Sequence, residues 1–347
     1  MTYKAVALIS GGLDSLLAAK LIQEQGIHVE GINFFTGFCV EGHSHSIRKK
    51  DNEEVKRNNA LWVAEQLGIK LHIVDVVEEH KDVVINPKHG YGANLNPCLD
   101  CKIFMVQKAH EWIEDNDFDF IITGEVMGQR PMSQRKSTMP VISDESGAKD
   151  LLLRPLCAHN LPETKPELQG WVDREKLHGI TGRSRKPQMA LADQFGFEDY
   201  TQPAGGGCFL TDPNYSVKFQ DLWNNRGDKR YELDDNMLLK VGRHIRPDNS
   251  FKLIIANEEG ENHFMSGYKK QFQTIQTVSH SDPLTIIDGA KLNQQQIELA
   301  CAINARYSKG RDEASVELVF SNPDQTFHSV HVKPMSVEDM PAKWQLA

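Results

Sequence analysis

The sequence contains no long apolar run. Nothing in its 347 residues approaches the length needed to span a bilayer. The N-terminus lacks a basic region followed by an apolar segment and a cleavage site, so no secretory leader is expected. Cysteine is sparse: six in a chain of this size do not suggest a disulfide scaffold. In a reducing compartment they point to metal or catalytic use, and a cytoplasmic protein is the expectation. There is no second Cys-x-x-Cys and no His-x-x-x-His pair, which leaves no closed four-ligand zinc site in view. Positive charge is in deficit as well. The net charge is −9, of which residues 236–347 carry only −1, with 12 Lys and Arg against 13 Asp and Glu. That balance speaks against a generic nucleic-acid binder, so any such contact must use local basic patches. Internal repeats and low-complexity segments are absent.

The length favours two domains. An apolar content of 39% and a charged content of 25% describe a soluble globular protein. Over residues 1–160, strand and helix patterns alternate. Strands are expected at Lys4–Ile9, His28–Phe35, Lys70–Val76, Phe118–Thr123 and Leu151–Leu156, and helices at Leu13–Gln25, Asp51–Leu67 and Asp100–Glu114. This alternation predicts an α/β fold with a doubly wound parallel sheet. Further helices are expected near Lys165–Leu177 and over 188–200. The run Gln202-Pro203-Ala204-Gly205-Gly206-Gly207-Cys208 cannot be regular structure. Beyond it, strands at Leu238–His244, Phe251–Ala256, Leu284–Asp288, Ser315–Phe320 and Ser329–Val332, with a helix at Asn293–Tyr307, predict a smaller α+β domain. The expected division is 1–200, a connector at 201–235, and 236–347.

The first strand runs straight into Ser10-Gly11-Gly12-Leu13-Asp14-Ser15. Two glycines permit a tight turn and close approach of a ligand. The helix that follows supplies unpaired N–H groups and the positive end of its dipole, and Ser10 and Ser15 add hydroxyl donors. Together these make a cradle for a phosphate-sized anion. It is not a Walker A loop, because no Gly-Lys-Ser/Thr follows. The loop also sits at the carboxyl end of a strand, where parallel sheets bind ligands.

Cys98 and Cys101 stand three residues apart just before an expected helix, where a helix N-terminus favours the thiolate. Such a pair binds a metal or cycles as a redox dithiol. Cys208 lies among small residues that admit a bulky group. Three cysteines suggest an iron–sulfur cluster with one iron left open; alternatively, Cys101 and Cys208 carry a persulfide and resolve it as a disulfide. Cys39, Cys157 and Cys301 read as ordinary buried thiols.

The Ser10–Ser15 hexapeptide resembles the pyrophosphate loop of N-type ATP pyrophosphatases, which split ATP between the α and β phosphates and adenylate a carbonyl oxygen. Asn96-Pro97-Cys98-Leu99-Asp100-Cys101-Lys102 resembles a segment of tRNA 2-thiouridylases, with Cys101 at the catalytic cysteine. Gly206-Gly207-Cys208-Phe209-Leu210 resembles the segment of their second cysteine. Thr123 to Gln129, with Ser133-Gln134 and Leu153-Arg154-Pro155-Leu156, is similar instead to tRNA 4-thiouridine synthetases. The resemblance covers about residues 1–215 and implies a sheet of the adenine-nucleotide α-hydrolase type. Two departures stand out: the chain opens on the first strand, without the N-terminal RNA-binding region of the 4-thiouridine synthetases, and Cys98 favours the cluster-dependent variants. Leu238 to Ile245 loosely resembles an NFACT-type RNA-binding domain.

The resemblance implies ATP-dependent thiolation of a tRNA uridine. Gly11 and Gly12, with Ser10 and Ser15, hold the leaving pyrophosphate. Asp14 holds Mg²⁺ or orders the loop. Backbone at about Asn33–Phe35, with Asn33 and Phe34, reads adenine, and Gly124 and Glu125 line the nucleotide. Cys98, Cys101 and Cys208 hold a [4Fe-4S] cluster, or Cys208 a persulfide. The expected partners are tRNA and a sulfur donor, either a cysteine desulfurase or sulfide; no membrane is involved. Arg130, Arg135, Lys136, Arg183, Arg185 and Lys186 either bind tRNA phosphates or are solvated. His43 and His45 read as exposed or metal-binding, and Arg48-Lys49-Lys50 as water-facing. Two other classes stay open: an amidating or cyclising ATP pyrophosphatase, and a non-catalytic ATP-sensing module that carries a cluster.

Overall fold

A computed structural model of the chain describes residues 3–39, 57–200, 207–278 and 283–347. The expectations for His43, His45, Arg48–Lys50 and most of the glycine-rich run lie outside the described residues. The chain divides into two compact units; the described residues up to Gly207 belong to the first and those from Cys208 onward to the second. Among the described residues, no helix is long and apolar enough to cross a membrane.

The first unit is built from β1 (Lys4–Leu8), α1 (Leu13–Gln23), β2 (His28–Phe35), α2 (Asn59–Leu67), β3 (Leu71–Asp75), α3 (Val77–Ile85), α4 (Cys98–Asp115), β4 (Phe120–Ile122), α5 (Thr138–Glu145), β5 (Leu152–Leu153), α6 (Lys165–Leu168) and α7 (Lys186–Gln194). Its five strands are all parallel, in the order β3-β2-β1-β4-β5. Successive side chains of β1 point to opposite faces. Ala5 and Ala7 pack with α1 and α2, whereas Val6 and Leu8 pack with α4 and α5. Burial on both faces explains why β1 reads as a continuous apolar run. The strand order reverses between β1 and β4, which places the loops after those two strands on either side of the switch point.

Several boundaries differ from expectation. Leu151–Leu156 pairs with β4 only at Leu152 and Leu153, and the Arg154 side chain then turns inward. The helix expected near Lys165–Leu177 ends at Leu168, because Gly170 takes a φ of +65° and Asp173 caps a separate short turn. The strand expected at Leu238–His244 is instead the end of a helix followed by a glycine turn. Glu232 caps that helix, and Gly242, at φ +68°, reverses the chain into the next strand. The apolar residues Leu238, Leu239 and Val241 are buried as expected, but at helical spacing.

The second unit contains α8 (Pro213–Arg226), α9 (Leu233–Leu239), β6 (Arg243–Asp248), β7 (Phe251–Ile255), α10 (Glu259–Ser266), β8 (Gln273–Thr277), β9 (Thr285–Gly289), α11 (Gln294–Tyr307), β10 (Val316–Ser321) and β11 (Phe327–Val332). Helix α8 falls within the span read from the sequence as a connector. The six strands form an antiparallel sheet in the order β11-β10-β8-β9-β7-β6. One face packs on α11, and the other on α9 and α10. The α/β class of the first domain and the smaller α+β second domain both hold.

Candidate active site

Strand β1 ends at Leu8, and the chain turns through Ser10 to Gly12 into α1. Gly11 has a φ of +79°. A Cβ there would lie 2.7 Å from Asn59 Cβ and 2.9 Å from the Ala60 nitrogen, so both conformation and space demand glycine. The α1 N-cap, Gly12, offers no side-chain acceptor to the first turn. Among the described residues, the N–H groups of Gly11, Gly12, Leu13 and Asp14 make no hydrogen bond. The Ser15 hydroxyl donates to Gly12 O at 2.8 Å and accepts from the Ser10 N–H at 3.3 Å, which fixes the loop from within. Four adjacent unpaired donors at a helix N-terminus form an anion-binding concavity.

Loops that follow other strands close around this turn. A Cβ on Gly124, just past β4, would come within 2.5 Å of Asp14 C and O, so the two backbones touch. Asp14 Oδ2 accepts hydrogen bonds from Gln129 Nε2 at 2.7 Å and Arg185 Nη1 at 2.8 Å. Gln188 donates in turn to Gln129 at 2.8 Å. Arg185 reaches Asp14 because Met127 and Thr181 form a parallel bridge, with Gly182 N–H donating to Met127 O at 2.8 Å. Asp14 Oδ1 is buried and without a hydrogen-bond partner among the described residues. The sequence marked Arg185 only as one member of a basic group, and Gln129 only within a resemblance; nothing local pairs either with Asp14.

Strand β2 pairs with β1 only as far as Ile32, so Asn33–Phe35 continue beside β3 alone at the same sheet edge. The Asn33 side chain donates to Ile9 O at 2.6 Å, and Phe34 is buried. One oxygen of Glu125 is engaged elsewhere, and the other, Oε1, is buried with no hydrogen-bond partner among the described residues. Its Oε2 accepts from Thr123 Oγ1 at 2.9 Å and Arg154 Nε at 3.0 Å, in a region closed to solvent. Burial pushes its pKa up, but the charges of Lys102 and Arg154 and these hydrogen bonds outweigh it and hold the carboxyl below its ordinary range.

Helix α4 opens on the two thiols. Cys98 and Cys101 occupy its first turn, three residues apart and therefore on one face. The helix runs back toward β4, which puts its N-terminus at the same carboxyl edge of the sheet as the Ser10–Ser15 loop. Cys98 Sγ lies 3.7 Å from Ser133 Oγ, and Gly128 N–H, one residue before Gln129, donates to Gln134 O at 2.6 Å, so a short chain of contacts joins the thiol to the Asp14 network. Cys101 Sγ lies 3.3 Å from His80 Nε2. His80 sits between the rings of Phe38 and Phe104, and burial lowers its pKa to about 4, so the imidazole is neutral. Sequence reasoning missed His80 because α3 went unread; the signal was Val77, His80 and Val84 at helical spacing.

All six cysteines are free. Cys157 and Cys301 are buried, and burial pushes their thiols up to about 11 and about 12, as suits inert core residues. Cys208 belongs to the second unit and precedes the short turn Phe209–Thr211, whose Thr211 hydroxyl donates to Cys208 O at 2.7 Å. Among the described residues, no group of three or more His, Cys, Asp or Glu side chains is arranged to hold a metal.

Residues 3–164 match the family model described as the tRNA methyl transferase HUP domain, and residues 242–345 match that of the NFACT protein RNA binding domain. Curated relatives are tRNA-specific 2-thiouridylases. That of Petrotoga mobilis is 27% identical over 70% of this chain and 64% of its own length. That of Phocaeicola vulgatus is 28% identical over 41% of this chain and 37% of its own. The alignments thus span less than two thirds of either relative. A crystal structure of a 4-thiouridine synthetase–RNA complex with bound ATP shares 19% identity over 57% of this chain and 54% of that one, with a TM-score of 0.34.

Proposed function

We propose that the chain is an ATP-dependent enzyme that replaces a carbonyl oxygen of a tRNA uridine with sulfur. The observation that carries this reading is the placement, at one sheet edge, of an unpaired N–H cradle at Gly11–Asp14 and a Cys98/Cys101 pair on a second helix N-terminus. It is supported by the likeness to tRNA 2-thiouridylases and by the RNA-binding match of residues 242–345, which gives the second unit the task of meeting the RNA.

The uracil carbonyl oxygen is a poor leaving group until it is adenylated. ATP sits with its β and γ phosphates on the Gly11–Asp14 N–H groups, helped by Ser10 and Ser15. The uracil oxygen attacks the α-phosphorus; the bond to the bridging oxygen breaks and pyrophosphate leaves. A sulfur nucleophile then attacks the activated carbon, a C–S bond forms, the C–O bond breaks, and AMP departs with the oxygen. The edge of Asn33–Phe35 is free to meet adenine. Mg²⁺ fits the orphaned Asp14 Oδ1, where it would neutralise phosphate charge. Arg185 then adds its guanidinium to the departing pyrophosphate.

A [4Fe-4S] cluster takes at least three cysteines, and the first unit offers two on the α4 face. The route that needs no third ligand runs on the thiols. Sulfur arrives as sulfide, or on Cys101 as a persulfide from a donor such as a cysteine desulfurase. In the second case a further thiol, Cys98 or Cys208, releases it by forming a disulfide that an external thiol must reduce. A tRNA substrate supports a cytoplasmic location.

The test is to incubate the full chain with unmodified tRNA, MgATP and sulfide, and to measure pyrophosphate, AMP and thiolated nucleoside by mass spectrometry. Equal amounts of the three are expected. Absence of any tRNA-dependent pyrophosphate release would overturn the reading.

A further inference from the structure

The second unit contains a groove of about 1100 Å³, walled by the start of β6, the end of β7, the end of α11 and the segments that follow α11 and β11. Five cations line it: Arg243, Arg306, Lys309, Arg311 and Lys333. Four carboxylates share it: Glu258, Glu259, Asp312 and Glu313. The count is nearly balanced, but the pairing is not. Asp312 lies 3.7 Å from Arg311, so those two charges offset each other. Among the described residues, Arg243, Arg306 and Lys333 form no salt bridge. The groove therefore carries a net charge of +1, with three cations outside any salt bridge among the described residues, in a protein whose net charge is −9.

Two of the three are held in place by the fold. The guanidinium carbons of Arg243 and Arg306 lie 5.1 and 5.9 Å from the Tyr307 ring centroid. The ring is itself fixed, since Gln345 Nε2 donates to its hydroxyl at 3.1 Å. Arg306 Nη1 donates to Met335 O at 3.4 Å, and its Nε is buried with no partner among the described residues. Guanidiniums ordered before a ligand arrives lose less entropy on binding. Their planar forks suit the paired oxygens of a phosphodiester. The cations come from separate segments of chain, a spread that fits successive phosphates of a strand better than a single compact anion.

We propose that this groove is where the second unit grips the sugar–phosphate backbone of RNA, with Arg243, Arg306 and Lys333 as the phosphate contacts. The inference deepens the reading that the second unit meets the RNA, and rests on it. Because the contacts are to backbone, they fix position and carry no base specificity.

The test uses the full chain, a fluorescent unmodified tRNA and binding by anisotropy across a salt series. Arg243 and Lys333 are exposed, so the double variant Arg243→Gln/Lys333→Gln should keep its melting temperature and its ATP binding. It should bind tRNA about tenfold more weakly at ~100 mM salt, with the slope of log K against log salt shallower by about two. Glu259→Gln, which removes an exposed acid from the rim, should tighten binding a few-fold. A native-melting double variant that binds tRNA with wild-type affinity and slope overturns the proposal. So does loss of poly-L-glutamate binding while tRNA binding persists, which would make the groove a site for acidic protein. Groove-dependent tRNA binding without pyrophosphate release sinks the catalytic reading alone; thiolation with groove-independent binding sinks the groove alone.

Discussion

Arg185 Nη1 stands 2.8 Å from Asp14 Oδ2, although the two residues are separated by 171 positions in the chain. The contact ties the last helix of the first unit to the first turn of α1, and leaves the other Asp14 oxygen without a partner. Asp14→Asn should abolish tRNA-dependent pyrophosphate release. Arg185→Gln should lower kcat/KM for ATP by about 10²-fold, the usual loss when a donor to developing charge is removed. If Arg185→Gln instead raised the rate, the arginine would be a lock on Asp14 and not a phosphate contact. Initial-rate pyrophosphate assays separate the two.

Gly124→Ala tests the closeness of β4 to the nucleotide loop. Its Cβ would need to occupy space 2.5 Å from the Asp14 carbonyl, and backbone cannot yield as a flexible side chain does. Overpacking of this kind costs about 1–3 kcal/mol. The urea midpoint should fall accordingly, and ATP binding should weaken beyond what the stability loss explains. Calorimetric titration with a non-hydrolysable ATP analogue on the folded variant checks this.

The parts legible in the sequence were the local ones. Residues 4–15 announce a buried strand, a glycine turn and a helix because each depends on near neighbours. Cys98 and Cys101 showed themselves by spacing. Helix α3 was invisible because Glu78, Glu79, Lys81 and Asp82 dilute its apolar stripe, and His80 was lost with it. The Gln188–Gln129–Asp14–Arg185 network arises from the Met127–Thr181 bridge, a pairing across 54 residues that no periodicity reveals. Glu125 illustrates another limit. Sequence placed it at the right sheet edge, but only the fold shows that Arg154 occupies its carboxylate. Glu125→Gln should accordingly act on stability, because it leaves the buried Arg154 charge uncompensated; a loss of about 3–5 kcal/mol in denaturant titration is expected.

The thiols can be ranked by substitution. Cys101→Ser should remove thiolated nucleoside when a persulfide donor supplies the sulfur, while leaving ATP binding intact, since the serine hydroxyl is close in size to the thiol. Cys98→Ser and Cys208→Ala distinguish the resolving thiol: the one that matters should reduce multiple turnover with a persulfide donor and have little effect when sulfide is supplied. If neither does so, the persulfide route fails and sulfide is the substrate. If Cys101→Ser retains full activity with both sulfur sources, Cys101 has no part in the transfer.

Acid should weaken the fold in a defined window, for reasons visible at two buried imidazoles. His244 is 1% exposed; its Nε2 donates to Val241 O at 3.0 Å and its Nδ1 is buried without a partner among the described residues. Burial, and then the charges of Lys252 and Lys218, hold its pKa well below the ordinary histidine value. His80 is lowered to about 4 by burial. In both cases the unfolded chain takes up the proton first, near its unperturbed pKa of about 6.5. Stability is therefore greatest above that pH, falls as pH drops from about 6.5 toward 4, and His80 adds no further loss below its folded pKa. At about 1.4 kcal/mol per pKa unit, His80 alone accounts for roughly 3 kcal/mol of that decline. Guanidinium titrations at pH 7, 6 and 5 should show the slope, and His244→Gln should flatten it for the transition of the second unit. An unchanged slope in that variant would mean that His244 is already protonated when folded, contrary to its unpartnered Nδ1.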